Sequence, residues 1–82
     1  MRSLVATFVS HFGAVRFQKQ CAALGWQARL MPVPRSLSSS CGTCVSYQAP
    51  EGELMPPDAH EDELECVAEE SASGYVTVWE AE

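Results

Sequence analysis

From Met31 to Cys44 the chain reads Met-Pro-Val-Pro-Arg-Ser-Leu-Ser-Ser-Ser-Cys-Gly-Thr-Cys, a choice of residues that packing alone does not explain. Pro32 and Pro34 restrict the backbone, and Gly42 behind Cys41 permits a positive φ and close approach by a partner. Ser38, Ser39 and Ser40 are small hydroxyl donors suited to a sulfur anion or an incoming substrate. Arg35 adds a fixed positive charge that can steer an anion. Together these residues present a thiol. The plainer reading of the same stretch is a turn between two strands that happens to contain one buried cysteine.

Cys44 turns the site into Cys-Gly-Thr-Cys, a spacing that allows a dithiol–disulfide cycle, resolution of a species formed on Cys41, or metal binding. A disulfide requires the junction between loop and strand to bend until the two β-carbons lie about 4 Å apart. The redox form of this motif opens a helix, whereas here a strand follows, so the thioredoxin comparison is poor. Zinc would need two further ligands from Cys21, Cys66, His11 and His60, whose spacing does not support a site. No metal and no cofactor is therefore expected. Cys21 reads as a small core hydrophobe and His60 as a solvated side chain, while His11 reads equally as a group that hydrogen-bonds or ionises near Cys41 and as a plain surface residue. Phosphate loops, H-E-x-x-H and G-x-S-x-G are absent, which argues against a conventional enzyme.

The elements that must hold this loop follow from periodicity. Residues 3–9 are apolar on both faces and predict a central strand. Ser10 caps a helix whose inner stripe is Ala14, Phe17, Cys21 and Leu24, and Gly25 stops it. Residues 26–31 and 43–48 alternate as strands, with 49–57 read as linker. Asp58 and Glu61 form a capping pair for a second, acidic helix with Leu64, Val67, Ala68 and Ser71 inward. Gly74 ends it, and Tyr75 to Trp79 is the last strand. The order βαββαβ predicts a ferredoxin-like α+β fold, with a four-stranded antiparallel sheet in the order 4-1-3-2 and two helices on one face. In that topology the Met31–Gly42 loop lies at the same end of the sheet as the first helix's N-terminus, where Ser10, His11 and free amides favour a thiolate.

The 82 residues carry a formal charge of −6 and are read as one small domain spanning residues 1–82. All 11 acidic residues follow Pro50, and all five basic ones precede it. Such a surface disfavours nucleic acid and membrane partners and suits a protein with a basic docking face. Neither a secretory signal nor an apolar run of membrane length is visible, so the expected location is the cytoplasm, where paired thiols are more often reactive than structural.

The loop resembles the segment P-x-P-R-x-x-S-S-S-C-G of the selenium/sulfur carrier protein-like family, small bacterial proteins. Pro32-Val-Pro-Arg35 and Leu37-Ser-Ser-Ser-Cys41-Gly42 carry the resemblance. Leu4-Val-Ala-Thr-Phe8, the helix near Ala14, and Gly25 extend it over roughly residues 3 to 48 and leave the acidic half outside. It implies that Cys41 bears sulfur or selenium as a persulfide or selenopersulfide, with transient donor and acceptor proteins as partners. Cys44 departs from the family's small or apolar residue at that position, and a resolving thiol there would work against a pure carrier. The competing readings are a dithiol redox or metal-binding module using Cys41 and Cys44, and a non-catalytic ferredoxin-like interaction domain.

Overall fold

The computed structural model describes residues 1–82. In chain order it contains β1 (Arg2–Phe8), α1 (His11–Ala23), β2 (Ala28–Pro32), β3 (Thr43–Ala49), a 3-10 turn at Glu61–Glu63, β4 (Leu64–Ser71) and β5 (Gly74–Glu80). The five strands form one sheet in the order β2-β3-β1-β4-β5, with every neighbouring pair antiparallel. β1 is central, as its two apolar faces predict: Leu4, Ala6 and Phe8 join the core under the helix, while Val5 and Thr7 are buried on the opposite face.

The ferredoxin-like expectation is corrected here. There is one α-helix rather than two, and residues 64–71 form the strand that lies beside β1 where Tyr75–Trp79 was expected. The reason is a bulge. Phe8 pairs with Leu64 but Thr7 with Cys66, so Glu65 is an extra residue and both Leu64 and Val67 face the helix-side core. A bulged strand thereby shows the three-residue spacing that reads as a helical stripe. The acidic run before it makes only the short 3-10 turn, and Gly74 serves the β4–β5 hairpin instead of ending a helix. A second register shift in that hairpin pairs Val67 with Trp79 and Ala68 with Thr77, which sends Trp79 and Thr77 to opposite faces where plain alternation puts them on one.

The space assigned to a second helix is partly filled by the segment 50–60, which takes in most of the expected linker 49–57 and the expected helix start at Asp58. Pro56 is buried, and Met55 and Ala59 pack against the core. The Tyr47 hydroxyl donates to the Leu54 carbonyl, and the Gln20 amide donates to that of Asp58 at 2.9 Å.

α1 forms as expected at its start. The Ser10 side chain accepts from the Gly13 amide at 3.2 Å, and Ala14, Phe17 and Cys21 point inward. Leu24, expected on that stripe, is instead the exposed C-cap. Phe17 meets Phe8 and Tyr47 edge-on at 5.1 and 5.0 Å between ring centroids, contacts that contribute about 0.5–1.5 kcal/mol each beyond burial. Gly13 is where the 3-10 turn closes on the helix: a β-carbon there would lie 3.2 Å from that of Glu63. The same Glu63 pairs with Arg16 at 2.5 Å. These contacts fix the helix start against the leading end of β4, and both lie at the end of the sheet that carries the cysteine loop.

Candidate functional site

The loop 33–42 joins β2 to β3 at the end of the sheet where β1 finishes and α1 and β4 begin. The end-to-end placement expected from topology therefore holds even though the strand count differs. His11 Nδ1 lies 3.4 Å from Thr43 Oγ1, tying the exposed first residue of α1 to the first residue of β3. Gly42 has φ +73°, the left-handed conformation expected behind Cys41, and its carbonyl accepts from the Val33 amide at 3.3 Å to close the loop's neck.

Cys41 is half-buried. Its side chain packs against the helix-side core, its thiol donates to the Thr43 carbonyl at 3.3 Å, and Ser39 Oγ lies 3.8 Å from its sulfur. The three serines do different things. Ser39 Oγ donates to the Phe8 carbonyl at 3.0 Å and accepts from the Cys41 amide at 3.4 Å, fixing the residue on which the thiol sits. Ser40 gives both its amide (3.0 Å) and its hydroxyl (2.5 Å) to the two carboxylate oxygens of Glu65. Ser38 is exposed and lines, with Ser39, Ser40, Thr7 and Cys66, a cleft of about 390 Å³. Arg35 is exposed, and the two ion pairs of the chain, Arg2–Glu69 and Arg16–Glu63, do not involve it.

Glu65 is the residue that sequence reasoning missed. Assigned to a helix, it had no connection to the loop, and only the bulge in β4 aims it there. Burial pushes its carboxyl up, but the Ser40 hydroxyl and amide outweigh that and hold it below the ordinary carboxylate range. The folded value thus lies under the unfolded one. The latch contributes in full above the unfolded carboxylate value of about 4.3 and is lost as pH falls through the lower folded value. Glu65→Gln should weaken it at neutral pH: amide hydrogen exchange at Ser40 should quicken severalfold, while global stability falls by about 1 kcal/mol or less because the pair is partly exposed. Unchanged exchange at Ser40 would show that the loop is held by Ser39 alone.

Cys44 differs from Cys41 in its burial. It is 0% exposed, pairs across the sheet with Thr7 and Met31, and directs its thiol toward the Pro32 carbonyl at 3.6 Å. Burial, with Cys41 as a like-charged neighbour, pushes its thiol up to about 11. Cys21 sits in the core as expected, and burial pushes it up to about 12. Cys66 is half-buried with its sulfur 3.2 Å from Thr7 Oγ1. All four cysteines are free. No three of the histidines, cysteines and carboxylates lie close enough to hold a metal ion, and His60 is exposed ahead of the 3-10 turn. No helix is long and apolar enough to cross a membrane.

A family model described as “Putative Se/S carrier protein-like” matches residues 3–65, the span from β1 through the cysteine loop to Glu65. No curated protein and no solved structure matches the chain.

Proposed function

This chain belongs to the Se/S carrier protein-like family, and from that membership we propose that it carries sulfur or selenium on Cys41 between a donor and an acceptor protein. The observation that favours Cys41 over the other thiols is its position. It is the only one of the four cysteines on a loop, held by Ser39 and by the Ser40–Glu65 latch, and it is not buried as Cys21 and Cys44 are. The Cys41 thiolate attacks the outer sulfur of a donor persulfide, forming Cys41–S–SH as the donor's inner sulfur leaves as a thiolate. No electrons are gained or lost overall. A donor selenopersulfide gives the selenium form by the same exchange, and an acceptor nucleophile reverses it.

Ser39 and Ser40 serve this reading as positioning residues, because their hydroxyl protons are already given to Phe8 and Glu65. Ser38, Arg35 and His11, all exposed at the same loop or beside it, are the groups free to meet an anionic sulfur or the incoming partner. Gly42 keeps the approach to the sulfur open, with nothing within 4 Å of where its β-carbon would lie. Free thiols of this kind suit a reducing compartment, which supports our proposal of a cytoplasmic location.

The test is incubation with a protein or small-molecule persulfide donor followed by intact mass. One added sulfur atom that a reductant removes is the expected product, and an unchanged mass would refute it. A dithiol cycle predicts something else, since Cys44 would attack the loaded Cys41, expel hydrosulfide and leave a disulfide. Burial of Cys44 and its raised thiol oppose that step. Cys44→Ser should accordingly keep bound sulfur no longer than the parent protein. Clearly longer retention would identify Cys44 as a resolving thiol.

A further inference from the structure

Beyond the thiol itself, the end of the sheet that carries the loop has a second feature, a cleft of about 800 Å³. Its apolar floor is Val9, Leu64 and Trp79, and its rim is Glu61, Asp62 and Glu80. Val9 is 53% exposed although it directly follows the most buried strand of the fold. A water-facing valine ringed by carboxylates offers apolar area to a partner whose own cations pair the carboxylates as they are covered. None of the three rim residues is in an ion pair within the chain. Glu65 and Glu80 line this cleft as well as the serine cleft, and Glu65 links the acidic groove to the Cys41 loop through Ser40.

We infer that this groove docks the partner protein that exchanges sulfur or selenium with Cys41, through a segment in which lysine or arginine residues flank an apolar side chain. Charge complementarity argues for that occupant. All 11 acidic residues lie in the second half of the chain, and no lysine or arginine of this chain lines the groove. An acidic field attracts a basic segment over a Debye length of about 8–10 Å, and apolar contact with Val9 and Trp79 then sets its register. The segment also brings positive charge to the neighbourhood of an anionic sulfur at the moment of transfer. A cation that reaches Glu65 competes with Ser40 for the same oxygens, which couples docking to release of the loop.

This inference rests on the carrier reading for the identity of the partner, but the groove can be tested without it. The probe is a synthetic peptide with a leucine–tryptophan centre flanked by arginines, titrated into isotope-labelled protein at low and physiological salt while amide shifts are followed. Expected are shifts confined to residues 9, 61–65 and 79–82 and to the Ser40 amide that Glu65 holds, and binding about tenfold weaker for Glu61→Lys/Glu80→Lys. The control Glu51→Lys/Glu53→Lys changes the net charge equally at the far end of the sheet and should bind as the parent does. A peptide with alanines at its centre should bind about tenfold more weakly than the probe. Shifts scattered over all acidic residues, equal affinity for both double variants, or indifference to the apolar centre would each overturn the groove. Cys41→Ser should bind the peptide normally. In the parent protein, failure to load with intact peptide binding therefore counts against the carrier reading, and failure to bind the peptide with intact loading counts against the groove.

Discussion

Cys41→Ser is expected to lose sulfur loading completely while the fold loses little. Loading needs an ionisable nucleophile whose bond to the incoming sulfur is itself exchangeable, and a serine hydroxyl is neither ionised near neutral pH nor able to form a persulfide. The structural cost is small because Cys41 is half-buried on a loop and the hydrogen bond its backbone N–H donates to Ser39 Oγ does not depend on its side chain. A loss of about 0.5–1 kcal/mol, read from chemical denaturation, is expected for the trimmed contact with the core. Cys21→Ala and Cys44→Ala make the contrast. Both side chains are fully buried, so each should lower stability by more than Cys41→Ser does, yet leave loading intact in the folded fraction. Loading retained in Cys41→Ser would move the site to another thiol.

The second large effect is the order in which the thiols alkylate. With its thiol pushed up to about 12, Cys21 is ionised to roughly one part in ten thousand at pH 8, and Cys44, at about 11, to roughly one part in a thousand. Access is also closed, since both are 0% exposed. Cys41 and Cys66, both half-buried, should therefore react ahead of Cys44 and Cys21, which react only through opening of the fold, at a rate that rises with denaturant. The same shifts set a dependence on pH. Folded values above the unfolded thiol value of about 8.5 mean that the stability linked to these thiols is whole below that pH and falls as pH rises toward 11 and 12. Cys44 alkylating as fast as Cys41 in the folded protein would contradict both the burial argument and the separation of the two sites.

Signals carried by neighbouring residues were readable without coordinates. Ser10 as a cap, the stripe Ala14, Phe17 and Cys21, and the positive φ of Gly42 each follow from local geometry. The pairing of β1 with β3 and of β3 with β2 was readable from alternation and order. What failed was the acidic half. One extra residue in β4 replaces the period of two by a spacing of three, and the preceding run Glu61-Asp62-Glu63 has the charge of a helix start. Misplacing that segment concealed Glu65, because its partner Ser40 is 25 residues away in sequence and nothing local links them. The same error hid the acidic groove, whose walls come from the end of β1, the 3-10 turn, and both strands of the last hairpin.

The carrier account turns on which sulfur bears the transferred atom, and mapping it in the loaded parent protein is the most direct measurement. Trypsin does not suffice, since no lysine or arginine follows Arg35 and one fragment would hold Cys41, Cys44 and Cys66 together. Fragmentation of the intact loaded chain in the mass spectrometer separates them, with backbone cleavage between Gly42 and Thr43 distinguishing the first two. The account predicts the added sulfur or selenium on N-terminal fragments that end at Gly42, and none on those that end at Ser40, which hold Cys21 alone, or on fragments that begin at Thr43. The added atom on Cys44 or Cys66, with Cys41 unmodified, would contradict it.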